Sequence, residues 1–221
     1  MSNVVITGAN RGIGLEYCRQ FIERGDTVIA LCRQASTELQ ALGCRIEEGI
    51  DVQRDDCLDV IRERLADIAE VDVLINNAGI LSFETLEDLD YKRIRDQFEI
   101  NALGPLRVVE ALQDKLERGA KVVMMTSRMG SLTDNTSGSR YGYRMSKAAL
   151  NIASVSLAED LRSKGVAVAI LHPGYVKTDM TGMNGDVTPE QSVDGLMRRI
   201  DELSLENSGT FWHANGEVLP W

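Results

Sequence analysis

The chain has 221 residues, of which 43% are hydrophobic and 26% charged, close to the values of an ordinary globular domain. This composition excludes a disordered or low-complexity chain and predicts a single domain over residues 1–221, since no linker interrupts it. The 34 acidic and 24 basic residues give a net charge of −10. A surface of that sign repels a phosphate backbone, so we expect no nucleic-acid partner.

The cysteines predict a reducing compartment and no metal centre. The four cysteines form no CxxC pair, and only His172 and His213 could join them as ligands, so we interpret them as packing residues. No basic segment precedes the first apolar run, and the longest apolar stretch, 166–171, is far shorter than the ~20 residues that cross a bilayer. We therefore expect a cytoplasmic protein with no membrane partner.

Short apolar runs alternate with longer segments of helical periodicity along the whole chain. The predicted strands are 4–7, 27–31, 44–47, 71–75, 121–126 and 166–171, with 211–213 as a candidate final strand. The predicted helices are 12–24, 55–68, a long helix within 87–117, 141–163 and one near 189–203. Near-continuous apolar strands separated by helices are typical of an α/β fold. We expect a Rossmann-type, doubly wound parallel sheet with helices on both faces.

A glycine-rich turn joins the first predicted strand to the first predicted helix. Gly8, Gly12 and Gly14 lie in the segment TGANRGIG at 7–14. Glycine permits a tight turn there and lets a pyrophosphate approach the backbone amides at the start of the helix. A tight turn without any ligand would use the same residues. The position directly after the first strand favours a dinucleotide site.

The residues after the second strand indicate which dinucleotide binds. An NAD site is expected to carry a carboxylate there for the ribose 2′-hydroxyl, but the segment LCRQAS at 31–36 contains no acid. Arg33, together with Arg11 in the glycine-rich turn, can instead form charge-assisted pairs with a 2′-phosphate. The alternative is two solvated surface arginines. In a chain of net charge −10, this pair favours NADP(H) over NAD(H).

Tyr143 and Lys147 are four residues apart, which puts a phenol and an ammonium on one face of the predicted helix 141–163. A tyrosine ordinarily titrates near pH 10, and a close ammonium, together with the positive charge of an oxidised nicotinamide, is expected to lower its pKa by favouring the phenolate. Such a phenol can protonate a forming alkoxide or take a proton from an alcohol. The spacing alone is common on helix surfaces, so its meaning depends on the motifs around it.

The order of these motifs resembles the short-chain dehydrogenase/reductase family over essentially the whole chain. Besides the glycine-rich turn and the Tyr143/Lys147 pair, the motifs that carry the resemblance are Asn76-Asn77-Ala78-Gly79, Asn101, Ser127 and His172-Pro173-Gly174. The stretches 127–131 and 143–151 and the ending 216–221 are similar to the branch that contains the C-factor and sniffer-type carbonyl reductases.

The resemblance implies a set of cofactor-binding residues around the pyrophosphate, the adenine, the two riboses and the nicotinamide. These residues are Gly8, Asn10, Arg11, Gly12, Ile13, Gly14, Arg33, Asp51, Val52, Asn77, Ala78, Gly79, Tyr143, Lys147, Pro173, Gly174, Val176 and Thr178. Within this set, Lys147 would hold the hydroxyls of the nicotinamide ribose, and the pair Asp51-Val52 would contact the adenine.

The resemblance also implies the catalytic residues. Tyr143 would be the general acid/base, Lys147 would lower its pKa, and Ser127 would bind the substrate oxygen. Asn101 would orient a water that connects Lys147 to solvent.

The substrate pocket is expected to combine Ser127 and Tyr143 with Met129, Tyr175, Met180 and Met183. The segment between Ser127 and Tyr143 is longer than in most of the family, which leaves Ser131 in contention as the catalytic hydroxyl. We favour Ser127 because it directly follows the strand 121–126, and ligands of doubly wound folds gather at the carboxyl ends of strands.

The sequence therefore predicts an NADP(H)-dependent enzyme that reduces a ketone, aldehyde or quinone to an alcohol. The alternative comes from another class, a dinucleotide-binding sensor that regulates a partner without turnover. Such proteins usually lose the tyrosine–lysine pair, which this chain keeps. Analogy with the family further implies a homodimer or homotetramer that associates through the helices within 87–117 and 141–163.

Overall fold

The computed structural model describes residues 1–221 and contains one sheet of seven parallel strands. The strands are β1 (Asn3–Thr7), β2 (Thr27–Leu31), β3 (Arg45–Glu47), β4 (Val73–Asn76), β5 (Lys121–Met125), β6 (Ala167–His172) and β7 (Phe211–His213). Their order across the sheet is β3-β2-β1-β4-β5-β6-β7, which confirms the doubly wound fold and the candidate final strand. From β1 the strands β2 and β3 extend the sheet to one edge, whereas β4 to β7 extend it to the other. The crevice between β1 and β4, where this order changes, is the position where such folds bind their ligands.

Helices cover both faces of the sheet. They are α1 (Gly12–Glu23), α2 (Thr37–Ala41), α3 (Cys57–Arg64), α4 (Tyr91–Phe98), α5 (Gly104–Leu112), α6 (Tyr141–Arg162) and α7 (Pro189–Asp201). Two hydrophobic clusters of 23 buried residues each lie on the opposite faces. Along β1, Val4 and Ile6 belong to one cluster and Val5 to the other, because successive side chains of a strand point to opposite sides. None of the helices combines the length and the apolar character that a bilayer crossing requires.

The long helix expected within 87–117 is present as an uninterrupted helical segment over 91–115, but it is not α-helical throughout. It consists of α4, a π-helical turn at Glu99–Leu103, α5 and a short 3-10 turn at Gln113–Lys115. Pro105 is one cause of the π-helical turn, because proline has no N–H to donate to the carbonyl of Asn101 four residues earlier. The helix widens at this point, and π-helical turns of this kind are frequent at functional sites. The predicted helix 55–68 is also shorter than expected, and α2 was not predicted.

Candidate active site

The carboxyl ends of β1, β2 and β4 open onto a groove of about 670 Å³. The predicted cofactor and substrate residues that line it are Gly8, Asn10, Arg11, Gly12, Ile13, Arg33, Asp51, Val52, Asn77, Ala78, Gly79, Thr178, Met180 and Met183. Residues far apart in the chain therefore meet in one elongated groove. The predicted residues outside its lining are Gly14, Asn101, Ser127, Met129, Tyr143, Lys147, Pro173, Gly174, Tyr175 and Val176.

The glycine-rich turn is packed too closely for any larger residue at two positions. Gly8 has a φ of +64°, and a Cβ on it would lie 2.8 Å from the Cα of Ala78. A Cβ on Gly14 would lie 2.2 Å from the carbonyl oxygen of Gly8. The Thr7 hydroxyl accepts hydrogen bonds from the amides of Asn77 (3.0 Å) and Ala78 (3.1 Å), which joins the ends of β1 and β4. The backbone at the start of α1 is thereby left open to a ligand.

The end of the groove beside β2 carries the residues expected to read the adenosine ribose. Arg33 is exposed, lines the groove and forms no ion pair, whereas Nη1 of Arg11 lies 3.5 Å from Oδ2 of Asp179. The Ser36 hydroxyl accepts from the amide of Leu39 at 3.2 Å and so caps α2. Glu38, in the first turn of α2, also lines the groove. This carboxylate was not considered in the sequence because α2 itself was not predicted.

Lys147 is buried without a carboxylate partner. The residue is only 5% exposed, and its Nζ donates to the carbonyl oxygen of Met125 at 2.8 Å. Burial lowers the pKa of this ammonium to about 7, because the charged form loses hydration. Nζ has two further hydrogens beyond the one bonded to Met125, which is what a residue that holds ribose hydroxyls needs.

Tyr143 is half-buried one helical turn before Lys147, whose Nζ lies 5.8 Å from the centre of the phenol ring. Burial raises the pKa of the phenol, and hydrogen bonding to Ser127 acts in the opposite direction. The phenol is therefore protonated at neutral pH in the cofactor-free protein. Burial has the larger effect in this cofactor-free state, and the lowering expected from Lys147 together with an oxidised nicotinamide stays a prediction.

Ser127 and Ser131 occupy different positions on the loop after β5. Ser127 is the first residue before the 3-10 turn Arg128–Gly130, and its hydroxyl accepts from the amide of Met129 at 3.2 Å. Its hydroxyl hydrogen stays free to be donated. Ser131 is buried at the far end of the turn, where its hydroxyl accepts from the amide of Asp134 at 3.1 Å. Of the two serines, Ser127 is the one whose hydroxyl acts on the pKa of Tyr143.

Asn101 is fully buried in the π-helical turn, and all its side-chain amide groups are bonded to protein. Oδ1 accepts from the amide of Ile80 at 2.8 Å, and Nδ2 donates to the carbonyl of Ile80 at 2.9 Å and to the hydroxyl of Ser146 at 3.0 Å. The side chain therefore joins the segment after β4 to α6. Pro105 supplies no N–H to the backbone carbonyl of Asn101, which makes this carbonyl a candidate group for orienting a water.

The segment after β6 crosses to the glycine-rich turn. The carbonyl of Pro173 accepts from the hydroxyl of Ser192 at 2.7 Å, and Val176 is buried. At the end of the crossing, Cγ2 of Thr178 lies 3.3 Å from the position that a Cβ on Gly12 would take. Met180 and Met183 are exposed and line the same groove as the glycine-rich turn, whereas the exposed Tyr175 lies outside it.

Comparison with known proteins agrees with this geometry. Residues 2–187 match the family model described as short chain dehydrogenase. The 1-hydroxy-2-glutathionyl-2-methyl-3-butene dehydrogenase of Rhodococcus sp. (strain AD45) is 43% identical over 226 aligned positions, which cover 100% of both chains. The C-signal protein of Myxococcus xanthus is 50% identical over 154 positions, 68% of this chain and 93% of that protein. The NADPH-bound carbonyl reductase from chicken fatty liver superposes with a TM-score of 0.89 at 30% identity, covering 100% of this chain and 99% of that chain.

Proposed function

The chain belongs to the short-chain dehydrogenase family and is an oxidoreductase, and we propose that it reduces ketones, aldehydes or quinones to alcohols with NADPH. The observation that carries this proposal is the position of Lys147, which is buried, donates to the last residue of β5 at 2.8 Å and lies 5.8 Å from the Tyr143 ring, while Ser127 follows β5 by two residues. A protonated phenol and a hydroxyl with a free hydrogen are two donors for one substrate oxygen.

Three features of the chain fit a bound NADP(H). Gly8, Gly12 and Ile13 line the groove at the start of α1, where a pyrophosphate can lie against backbone amides. Lys147 is a buried cation with no anionic partner in the protein, and a ribose would supply acceptors for its free hydrogens. Arg33 is an unpaired guanidinium at the place where a 2′-phosphate would lie.

In the proposed reaction, the bound nicotinamide supplies a hydride to the carbonyl carbon. Tyr143 donates its phenolic proton to the carbonyl oxygen, and the Ser127 hydroxyl donates a hydrogen bond to the same oxygen as negative charge develops on it. Lys147 orients the ribose and, once charged, stabilises the phenolate that Tyr143 becomes. The backbone carbonyl of Asn101 would hold the water through which the phenolate regains a proton.

We expect NADPH to be preferred over NADH, and Arg33→Ala to remove most of that preference. Loss of a charge-assisted pair with a 2′-phosphate costs roughly 1.5–3 kcal/mol, or about tenfold to over a hundredfold in kcat/KM for NADPH. The kcat/KM for NADH should stay unchanged, because NADH has no phosphate at that position. The measurement is steady-state kinetics with both cofactors.

Gln34→Ala is the matched control, since Gln34 is the exposed neighbour of Arg33 and does not line the groove. It should leave both kcat/KM values unchanged. Equal kcat/KM with NADH and NADPH in the wild type, or a ratio that Arg33→Ala does not alter, would contradict the proposed cofactor. Glu38 would then be the candidate ligand for a ribose 2′-hydroxyl.

The substrate pocket is expected to accept many medium-sized apolar carbonyls. Met180 and Met183 are flexible, polarisable side chains at the groove, and such residues adapt to ligands of different shape. A rigid pocket separates two substrates that differ by one methylene by ~1–3 kcal/mol, and a pocket lined by methionines should separate them by less. Activity should be screened over aryl ketones, aliphatic aldehydes and quinones. Turnover of one charged metabolite with refusal of all apolar carbonyls would contradict this expectation.

A second candidate substrate, an alcohol carried by a glutathione conjugate, is favoured by the Rhodococcus relative and by two arginines beside Tyr143. Neither Arg140 nor Arg144 forms an ion pair; the guanidinium of Arg140 lies 4.8 Å from the centre of the Phe83 ring, and Arg144 bonds to the Gly138 carbonyl and the Ser137 hydroxyl. Unpaired guanidinium groups at this place would suit glutathionyl carboxylates. The screen should therefore include an S-hydroxyalkyl glutathione with NADP⁺ and with NAD⁺, for which Tyr143 would act as the base.

A further inference from the structure

Glu84 is a buried carboxylate with no cation beside it, in the segment between β4 and α4. It is 1% exposed and takes part in none of the ion pairs of the molecule. The other buried acid, Glu47, differs in being paired with Arg45 at 2.8 Å and with Arg64 at 3.7 Å. A buried charge without such compensation is costly unless hydrogen bonds satisfy it, so the partners of Glu84 need an explanation.

Three donors surround this carboxylate. The Gly142 amide donates to Oε2 at 3.3 Å, Nε2 of Gln97 donates to Oε1 at 3.0 Å, and the Ser82 hydroxyl donates to Oε1. The Ser82 oxygen itself accepts from Nε2 of Gln97 at 2.7 Å, which directs its hydrogen to Glu84. The carboxylate oxygens accept in every one of their bonds, so hydrogen bonds rather than an ion pair satisfy them.

The carboxylate stands where α6 lacks a cap of its own. The residue before the helix is Arg140, which has a left-handed conformation (φ +52°) and forms no side-chain capping bond. Gly142 is the second residue of the helix, so its amide is one of those that have no partner within the helix. Glu84 accepts this amide and places negative charge at the positive end of a 22-residue helix.

The same contacts fasten the helix start to α4. Gln97 in α4 is fully buried, and a Cβ on Gly142 would lie 2.2 Å from its Nε2, so the two helices touch here through the bare backbone of a glycine. The Arg140 amide donates to the Glu84 carbonyl at 2.7 Å and the Ser82 amide to Oε1 of Gln97 at 3.1 Å. The start of α6 is thereby held by the segment around Glu84 and by α4, and Tyr143 directly follows Gly142 in this helix.

We propose that Glu84 is a positioning residue for Tyr143. Its carboxylate caps α6 from outside the helix and holds the first turn, on which the phenol stands, at a fixed place relative to Ser127. This inference rests on the proposed role of Tyr143 as proton donor. Glu84, Ser82 and Gln97 line no part of the groove, so the network acts on the cofactor only through the start of α6.

The test is Glu84→Gln, which keeps the size of the side chain but turns one acceptor into a donor that faces Gln97 and Ser82. We expect kcat for carbonyl reduction to fall about tenfold or more, since displacement of a reacting group by about 1 Å can cost ~10²-fold. The dissociation constant of NADPH should change much less than kcat, because the glycine-rich turn and Arg33 are untouched and the phenol contributes mainly in the transition state. The solvent deuterium isotope effect on kcat should rise as proton transfer from Tyr143 becomes slower, a change that a purely structural role would not produce.

Two further variants keep the inference falsifiable. Glu87→Gln removes the same charge three residues along the chain at an exposed position and should behave as the wild type. The exchange Glu84→Gln with Gln97→Glu restores one carboxylate and one amide between the same helices, and should recover kcat even where Glu84→Gln alone folds poorly.

Wild-type kcat and isotope effect in Glu84→Gln would overturn the inference while leaving the proposed function intact. So would an exchange variant that folds and binds NADPH but does not recover kcat. A wild-type protein that reduces no carbonyl would overturn the proposed function, and this inference with it.

Discussion

Tyr143→Phe is expected to abolish most carbonyl reduction while leaving the affinity for NADPH nearly unchanged. The substitution removes the transferable proton but keeps the ring and every contact of the glycine-rich turn. The phenol contributes mainly in the transition state, so the loss should appear in kcat rather than in cofactor binding. The measurements are fluorescence titration with NADPH and steady-state reduction of a reactive ketone or quinone.

Lys147→Ala should impair both cofactor binding and turnover, because one ammonium is asked to hold the ribose and to stabilise the phenolate. The loss of transition-state stabilisation in the double variant Tyr143→Phe/Lys147→Ala should be well below the sum of the two single losses, as expected for coupled groups. Tyr141→Phe is a matched control, since Tyr141 lies on the same helix and has Met145, not a lysine, four residues later. It should behave as the wild type.

Retention of wild-type turnover by Tyr143→Phe would show that the proposed mechanism is wrong. A different result would favour the sensor hypothesis: a wild-type protein that binds NADPH tightly but reduces nothing in the whole screen. The relative from Myxococcus xanthus is named for a signal rather than for a reaction. The tyrosine–lysine pair is the reason we favour catalysis, and the Tyr143 variant tests that reason directly.

The strands of the sheet could be predicted from the sequence because each is a short apolar run that is visible locally. β1 and β6 are continuous apolar runs, as expected for strands buried on both faces, and β7 was found from three residues. The family resemblance is confirmed, and the order of the motifs placed the glycine-rich turn at the groove. Local patterns did not reveal the π-helical turn at Asn101, since the apolar periodicity continues through it and only Pro105 signals it.

The interactions that support the site were hidden from the sequence because they join distant segments. Glu84, Gln97 and Gly142 are individually unremarkable in the chain, and only the packing of α4 against α6 brings them together. The direction of the pKa shift of Tyr143 could not be predicted from the sequence for a related reason. Spacing shows which groups are near each other, whereas the burial that raises this pKa depends on everything packed around the phenol.

The opposite pKa shifts of Tyr143 and Lys147 suit a site that binds its cofactor before it reacts. In the free protein, burial keeps the phenol protonated and brings the pKa of the ammonium to about 7. Both shifts reduce charge in a site that has no counterion of its own. The ribose hydroxyls and the positive nicotinamide of the oxidised cofactor would favour the ionised phenolate, so that the acid becomes useful as a base only when cofactor is present.

Ser127→Ala should reduce kcat/KM about a hundredfold or more, the usual cost of removing one donor to a developing oxyanion. Ser131→Ala should be nearly silent, because its hydroxyl only accepts from the amide of Asp134 within the loop. The two substitutions remove the same atom four residues apart, and both serines are buried, so a general loss of packing would affect them alike. Steady-state reduction of one ketone by both variants decides between them. If Ser131→Ala carries the loss, the longer loop between Ser127 and Tyr143 has moved the catalytic hydroxyl, and the donor to the substrate oxygen comes from the far end of the 3-10 turn.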